Sequence, residues 1–162
     1  MICKNCGEEG TGNYCAYCGA SMQTGWRYKE LSSEEFLEYH NHSVILRHYA
    51  LIAEEMALYS AVTKSKDYFG NVAERFIALA HEDIKLARLF YDLSKKYRQP
   101  LPEYYTFKHL SILYERRGEY NKAIDICEAA IYFHFEYDGT KGGMPTRLER
   151  LKKREEAMQC VF

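Results

Sequence analysis

The chain has 162 residues and a formal net charge of −1, room for one medium domain, or a small one with an appended module, but not for two full cores. Hydrophobic residues make up 47% and charged residues 28%, which excludes a disordered or fibrous chain, and only three prolines argue against a loop-rich all-β fold. A near-neutral balance means that no global field draws the protein onto nucleic acid or an anionic membrane. The apolar run Val44-Ile45-Leu46 is cut by Arg47 and His48, far short of a membrane span. Met1-Ile2-Cys3-Lys4 lacks the apolar core of an export signal, so a cytoplasmic location is the expectation.

Four of the six cysteines fall in the first 18 residues, as Cys3-x-x-Cys6 and Cys15-x-x-Cys18. Paired C-x-x-C units in a chain without an export signal read as a metal site. Zinc favours four thiolates in a tetrahedron, and each C-x-x-C turn delivers two of them. Gly7 and Gly19 follow the pairs and tolerate the positive φ that such turns need. The other reading of the same residues is a redox dithiol pair or two disulfides. Residues 3–19 resemble the short zinc-ribbon module found at the ends of many prokaryotic proteins, with Tyr14 at the aromatic position before the third ligand. The insert is slightly shorter than that family's usual spacing. The resemblance implies one structural Zn2+ held by Cys3, Cys6, Cys15 and Cys18 in a module spanning 1–25. Lys4 stands against Glu8 and Glu9 there, so the module lacks the basic cluster of a nucleic-acid-gripping ribbon.

From residue 31 to 162 the composition is that of a helical domain. Ser32 and Glu35 form a capping-box pattern that starts a helix, and Asn41-His42-Ser43 marks a break before a longer helix ending near Val62. Phe69, Val72, Ala73, Phe76, Ile77 and Ala80 fall at helical spacing. Another helix runs from about Asp83 to Tyr97, before Pro100 and Pro102. Phe107, Leu110, Ser111, Tyr114, Gly118, Tyr120, Ala123, Cys127 and Ala130 then resemble a tetratricopeptide repeat, a helix–turn–helix unit of about 34 residues. The resemblance assigns 104–137 as the clearest unit and 68–102 as a degenerate one, with an amphipathic helix over 146–158 as a cap. The fold expected is mainly α: a small N-terminal zinc ribbon plus antiparallel helical hairpins of α-solenoid type.

Fifteen tyrosines suggest an aromatic groove for a peptide, or else repeat packing. Tyr105, Lys108, Ile112, Glu115 and Arg116 occupy positions that line the concave surface in the repeat family, which makes them the candidate partner-binding face. Six histidines raise the possibility of a metalloenzyme, but no Glu-x-x-His occurs, and surface or hydrogen-bonded histidines are the plainer reading. Asp138-Gly-Thr-Lys-Gly-Gly143 is not a phosphate loop and reads as a mobile connection. Cys127 falls at a position expected to be buried. The basic stretch 147–154 is either a nucleic-acid patch or a solvated helix face. The function expected is a non-enzymatic adaptor that binds a protein or peptide partner, with a nucleic-acid-associated regulator using the ribbon and the basic C-terminal helix as the alternative.

Overall fold

Seven α-helices account for most of the residues that the computed structural model describes, 1–16 and 18–160: α1 (Ser33–His40), α2 (Ser43–Ser65), α3 (Asn71–Ile84), α4 (Ala87–Tyr97), α5 (Tyr105–Arg116), α6 (Tyr120–Tyr132) and α7 (Gly143–Gln159). The last two residues of the expected 31–162 domain lie outside the described part. Two isolated antiparallel bridges in the N-terminal module are the extended pairings among the described residues. No described helix is long and apolar enough to cross a membrane.

Local chemistry sets the helix ends. The Ser32 hydroxyl accepts from Glu35 N and the Glu35 carboxylate accepts from Ser32 N, closing the capping box that starts α1. Lys29 donates to the same carboxylate and holds its pKa below the usual range. At Asn41-His42 the chain breaks, and the His42 ring accepts from Val44 N to cap α2. Lys66, in the left-handed region, ends α2. Asp67 then accepts from Phe69 N and Gly70 N, turning the chain back into α3. Gly118, at φ 74°, makes the corresponding reversal between α5 and α6.

Small residues let these helices approach closely. Ala73 and Ala80 on α3 and Ala123, Cys127 and Ala130 on α6 are fully buried, beside Phe76, Phe90, Phe107, Leu110 and Leu113. α7 closes the stack on α6 with Met144 and Leu151.

One expected pairing is not the one formed. Residues 68–102 do not fold into a hairpin of their own. Lys85 and Leu86 both keep right-handed helical angles, and Leu86 N donates to Asp83 O, so α4 carries on from α3 after a one-turn kink. The hairpin partner of α3 is α2. The 138–143 connection is also tied down rather than loose. Asp138 is buried, paired with Arg147 at 3.1 Å and hydrogen-bonded to Thr140 N, and its carbonyl accepts from Lys108.

A polar cluster is sealed inside the helices. His48 and Glu55 of α2, Asp83 of α3 and Thr106 of α5 are each at most 2% exposed. Thr106 Oγ1 lies 2.8 Å from Glu55 Oε2 and 2.7 Å from Asp83 Oδ2. A hydroxyl has one proton to donate, so one of the two contacts requires a carboxyl proton. Asp83 Oδ1 already receives His48 Nδ1 at 2.7 Å and the Tyr104 hydroxyl at 3.1 Å. Glu55, whose Oε1 has no partner, is therefore the protonated acid. Burial, reinforced by the Asp83 charge, pushes its pKa up to about 7.

A carboxyl that holds its proton more tightly when folded loses that advantage as pH rises from its unfolded value toward its folded one. Unfolding free energy is therefore expected to fall by about 3 kcal/mol between pH 5 and 8. Glu55→Gln, which keeps a donor to Thr106 without a titrating group, should flatten this slope in denaturation curves measured across that range. An unchanged slope in the variant would refute the assignment.

Candidate metal centre

The first 22 residues are built twice over. Cys3 N donates to Glu8 O and Gly7 N to Cys3 O; twelve residues later Cys15 N donates to Ala20 O and Gly19 N to Cys15 O. The bridges Ile2–Glu9 and Tyr14–Ser21 follow the same offset, as do the bonds Gly10 N to Met1 O and Met22 N to Asn13 O. Gly7 and Gly19 sit at φ 80° and 68°, the left-handed region that closes each turn without strain.

The two turns bring their sulfurs together. All four cysteine sulfurs lie within 4.8 Å of one another, with Cys3 to Cys18 at 3.7 Å and Cys6 to Cys15 at 3.6 Å. A tetrahedron with metal–sulfur bonds of about 2.3 Å has edges of about 3.8 Å, so the donors fit a metal ion. The leading cysteine of each pair, Cys3 and Cys15, is buried with Ala20 and Met22, whereas Cys6 is exposed. Their protonation is in conflict. The Asn5 side chain and the Ala20 amide favour the thiolate of Cys18 and lower its pKa to about 6. At Cys6 the Glu8 amide acts the same way but is outweighed by desolvation and the neighbouring sulfurs, which push the pKa up to about 12. A divalent cation at the centre resolves this by favouring all four thiolates together. Among the described residues this is the one place where three or more His, Cys, Asp or Glu ligand atoms converge.

A third turn, which the sequence reading missed, repeats the pattern with hydroxyls. Ser21 N donates to Trp26 O and Gly25 N to Ser21 O, with Gly25 at φ 83°. Gln23 N and Thr24 N point at the Ser21 hydroxyl oxygen, and the Tyr28 hydroxyl donates to it as well. Ser21-x-x-Thr24-Gly25 thus matches Cys3-x-x-Cys6-Gly7, a signal hidden by looking for cysteine alone. A Cβ on Gly25 would come within 2.8 Å of Lys4 Cβ, so glycine lets this turn lie flat against the first.

The third turn also docks the module on the helices. Trp26 meets Tyr91 of α4 edge-on at 5.7 Å, Lys29 N donates to Arg98 O, Gln99 donates back to Lys29 O, and Lys4 reaches Glu136 at 4.0 Å. Between the module and the 133–145 segment lies an open cleft of about 740 Å³, lined among others by Tyr14, Tyr28, Tyr137, Pro100 and Pro145.

Of the candidate partner-binding residues on α5 none is buried, and several are engaged within the chain. Lys108 is bonded to the Asp138 carbonyl, Glu115 to Arg150 and Arg154 of α7, and half-buried Tyr105 stacks on His109 at 5.8 Å. Ile112 is half-buried, and Arg116 alone of the five is exposed. The C-terminal helix leans over this side through its arginines. Within the basic stretch 147–154, Arg147, Arg150, Lys152 and Arg154 each pair with a carboxylate. The histidines do not gather: His81 bonds the Tyr114 hydroxyl at 2.8 Å, and burial lowers the pKa of His109 to about 4. Cys127 is fully buried, as expected, and burial pushes its pKa up to about 11.

Compared with protein-family models, curated proteins and solved structures, the chain matches none.

Titration with zinc as the probe should saturate at one ion per chain and protect four thiols from a thiol reagent. Cys15→Ser should weaken binding by on the order of a hundredfold or more while far-ultraviolet circular dichroism stays unchanged. A stoichiometry unaffected by the substitution would remove these cysteines as the ligands.

Proposed function

We propose that this chain is a non-enzymatic adaptor, in which a zinc-ribbon module fixed to a tetratricopeptide-like helical body captures an extended segment of another protein. The observation that carries the reading is the cleft between the two parts. One wall, with Tyr14 and Tyr28, belongs to the N-terminal part, where Tyr14 precedes the ligand Cys15 and Tyr28 bonds Ser21 of the third turn. The other, with Pro100, Tyr137 and Pro145, belongs to the helical body. Tyrosine offers a large, stiff contact area with a polar tip, the usual material of peptide-binding grooves. The metal is zinc on this reading, because four thiolates in a closed tetrahedral set suit it and leave no open position for chemistry.

Two observations weigh against the alternatives. The buried His48–Asp83–Thr106–Glu55 cluster, sealed from solvent, has the look of a catalytic constellation but no access for a substrate. The pairing of four bases in 147–154 with carboxylates leaves that stretch poorly suited to binding phosphates. A cytoplasmic protein partner is the expectation.

The test is affinity purification from nuclease-treated host extract, comparing the natural chain with Tyr14→Ala/Tyr137→Ala. Both tyrosines are exposed, so their loss should spare the fold. A partner protein should be retained by the natural chain and weakened about tenfold or more by the double substitution, in line with the loss of two aromatic anchors. Binding that vanishes with nuclease and falls steeply with salt, or that ignores the substitutions, would overturn the reading.

A further inference from the structure

α2 is apolar on both sides, which a helix at the surface of a monomer is not expected to be. Its inner face carries Val44, Ile45, His48, Leu51, Glu55 and Val62. Its outer face runs Leu46, Tyr49, Ala50, Ala53, Met56, Ala57 and Ala61, with Leu46 and Tyr49 each 53% exposed and Met56 49% exposed. The charged residues at the edge, Arg47 and Glu54, turn away to Glu82 and Arg75 of α3 and are neutralised there.

The order of sizes along this face is self-complementary about Ala53, large against small. If a second α2 lies antiparallel with its axis of symmetry at that residue, Leu46 meets Ser60, Tyr49 meets Ala57, Ala50 meets Met56 and Ala53 meets Ala53. Each bulky side chain then faces a small one, and the alanines at the centre allow a close approach of the two helices. This is the self-complementarity that a two-fold interface requires. Charge agrees with it. The seven residues of the face carry no charge, and Arg47 and Glu54 at its edge are already paired within the chain, so two copies meet there without burying an unpaired ion.

We propose that the outer face of α2 is an isologous interface with a second copy of this chain. It lies apart from the peptide cleft, so the two readings stand or fall separately. The test is sedimentation velocity on the full metal-loaded chain from low to several hundred micromolar. The natural chain should show a dimer that grows with concentration. Ala53→Glu places two carboxylates against each other on the axis and should weaken association by about a hundredfold, with helical content unchanged because the site is exposed. If that variant does not fold, Ala53→Cys in a Cys160→Ser background is the second probe, and mild oxidation should link it through residue 53 into a covalent dimer. A chain that stays monomeric throughout, a dimer indifferent to Ala53→Glu, or an Ala53→Cys chain that fails to cross-link would each overturn the proposal, as would a different protein occupying this face.

Discussion

Four thiol groups held within 4.8 Å of one another are the constraint on which the N-terminal module of this protein depends. Its small core, Cys3, Cys15, Ala20 and Met22, is too slight to offset the conformational entropy of ordering some 25 residues at about 1–2 kcal/mol each. The backbone of the two cysteine turns is well satisfied, yet the sulfurs pull against each other, one favoured as thiolate and one as thiol. A cation at the centre would remove that conflict and would link metal binding to folding.

What the cysteine cluster organises extends beyond its four sulfurs. The Ser21–Gly25 turn copies the cysteine turns with hydroxyls and needs no ion, because Ser21 Oγ accepts amides from within its own turn. It lies against the first cysteine turn at Gly25 and Lys4 and against the helices at Trp26. The order of the metal centre is thereby passed to the wall of the cleft. On the adaptor reading, the zinc is remote from the bound partner and acts by keeping Tyr14 and Tyr28 in place.

The features legible in the sequence were those decided locally. Ser32 and Glu35 cap α1 through atoms three residues apart, Gly118 turns the chain between α5 and α6, and the doubled C-x-x-C-G converges as its spacing implied. The parts that were not legible depend on distant choices. Ala87 fits a repeat pattern, but whether α4 folds back or carries on is set by the helical angles kept at Lys85 and Leu86. Nothing local announces that Arg150 and Arg154 of α7 reach Glu115 on the α5 face. Glu55 gave no sign of being a buried acid, since its partners Thr106 and Asp83 are 51 and 28 positions away in the sequence.

Trp26 is the single tryptophan, sits on Tyr91 at the seam between module and helices, and has its indole N–H buried. Its fluorescence, followed together with helical circular dichroism while a chelator withdraws the metal, tests the central claim most directly. The account predicts a red-shifted emission with the helical signal retained, the original emission returning with one equivalent of zinc. Emission that ignores metal removal would contradict it, as would loss of the helices along with the shift.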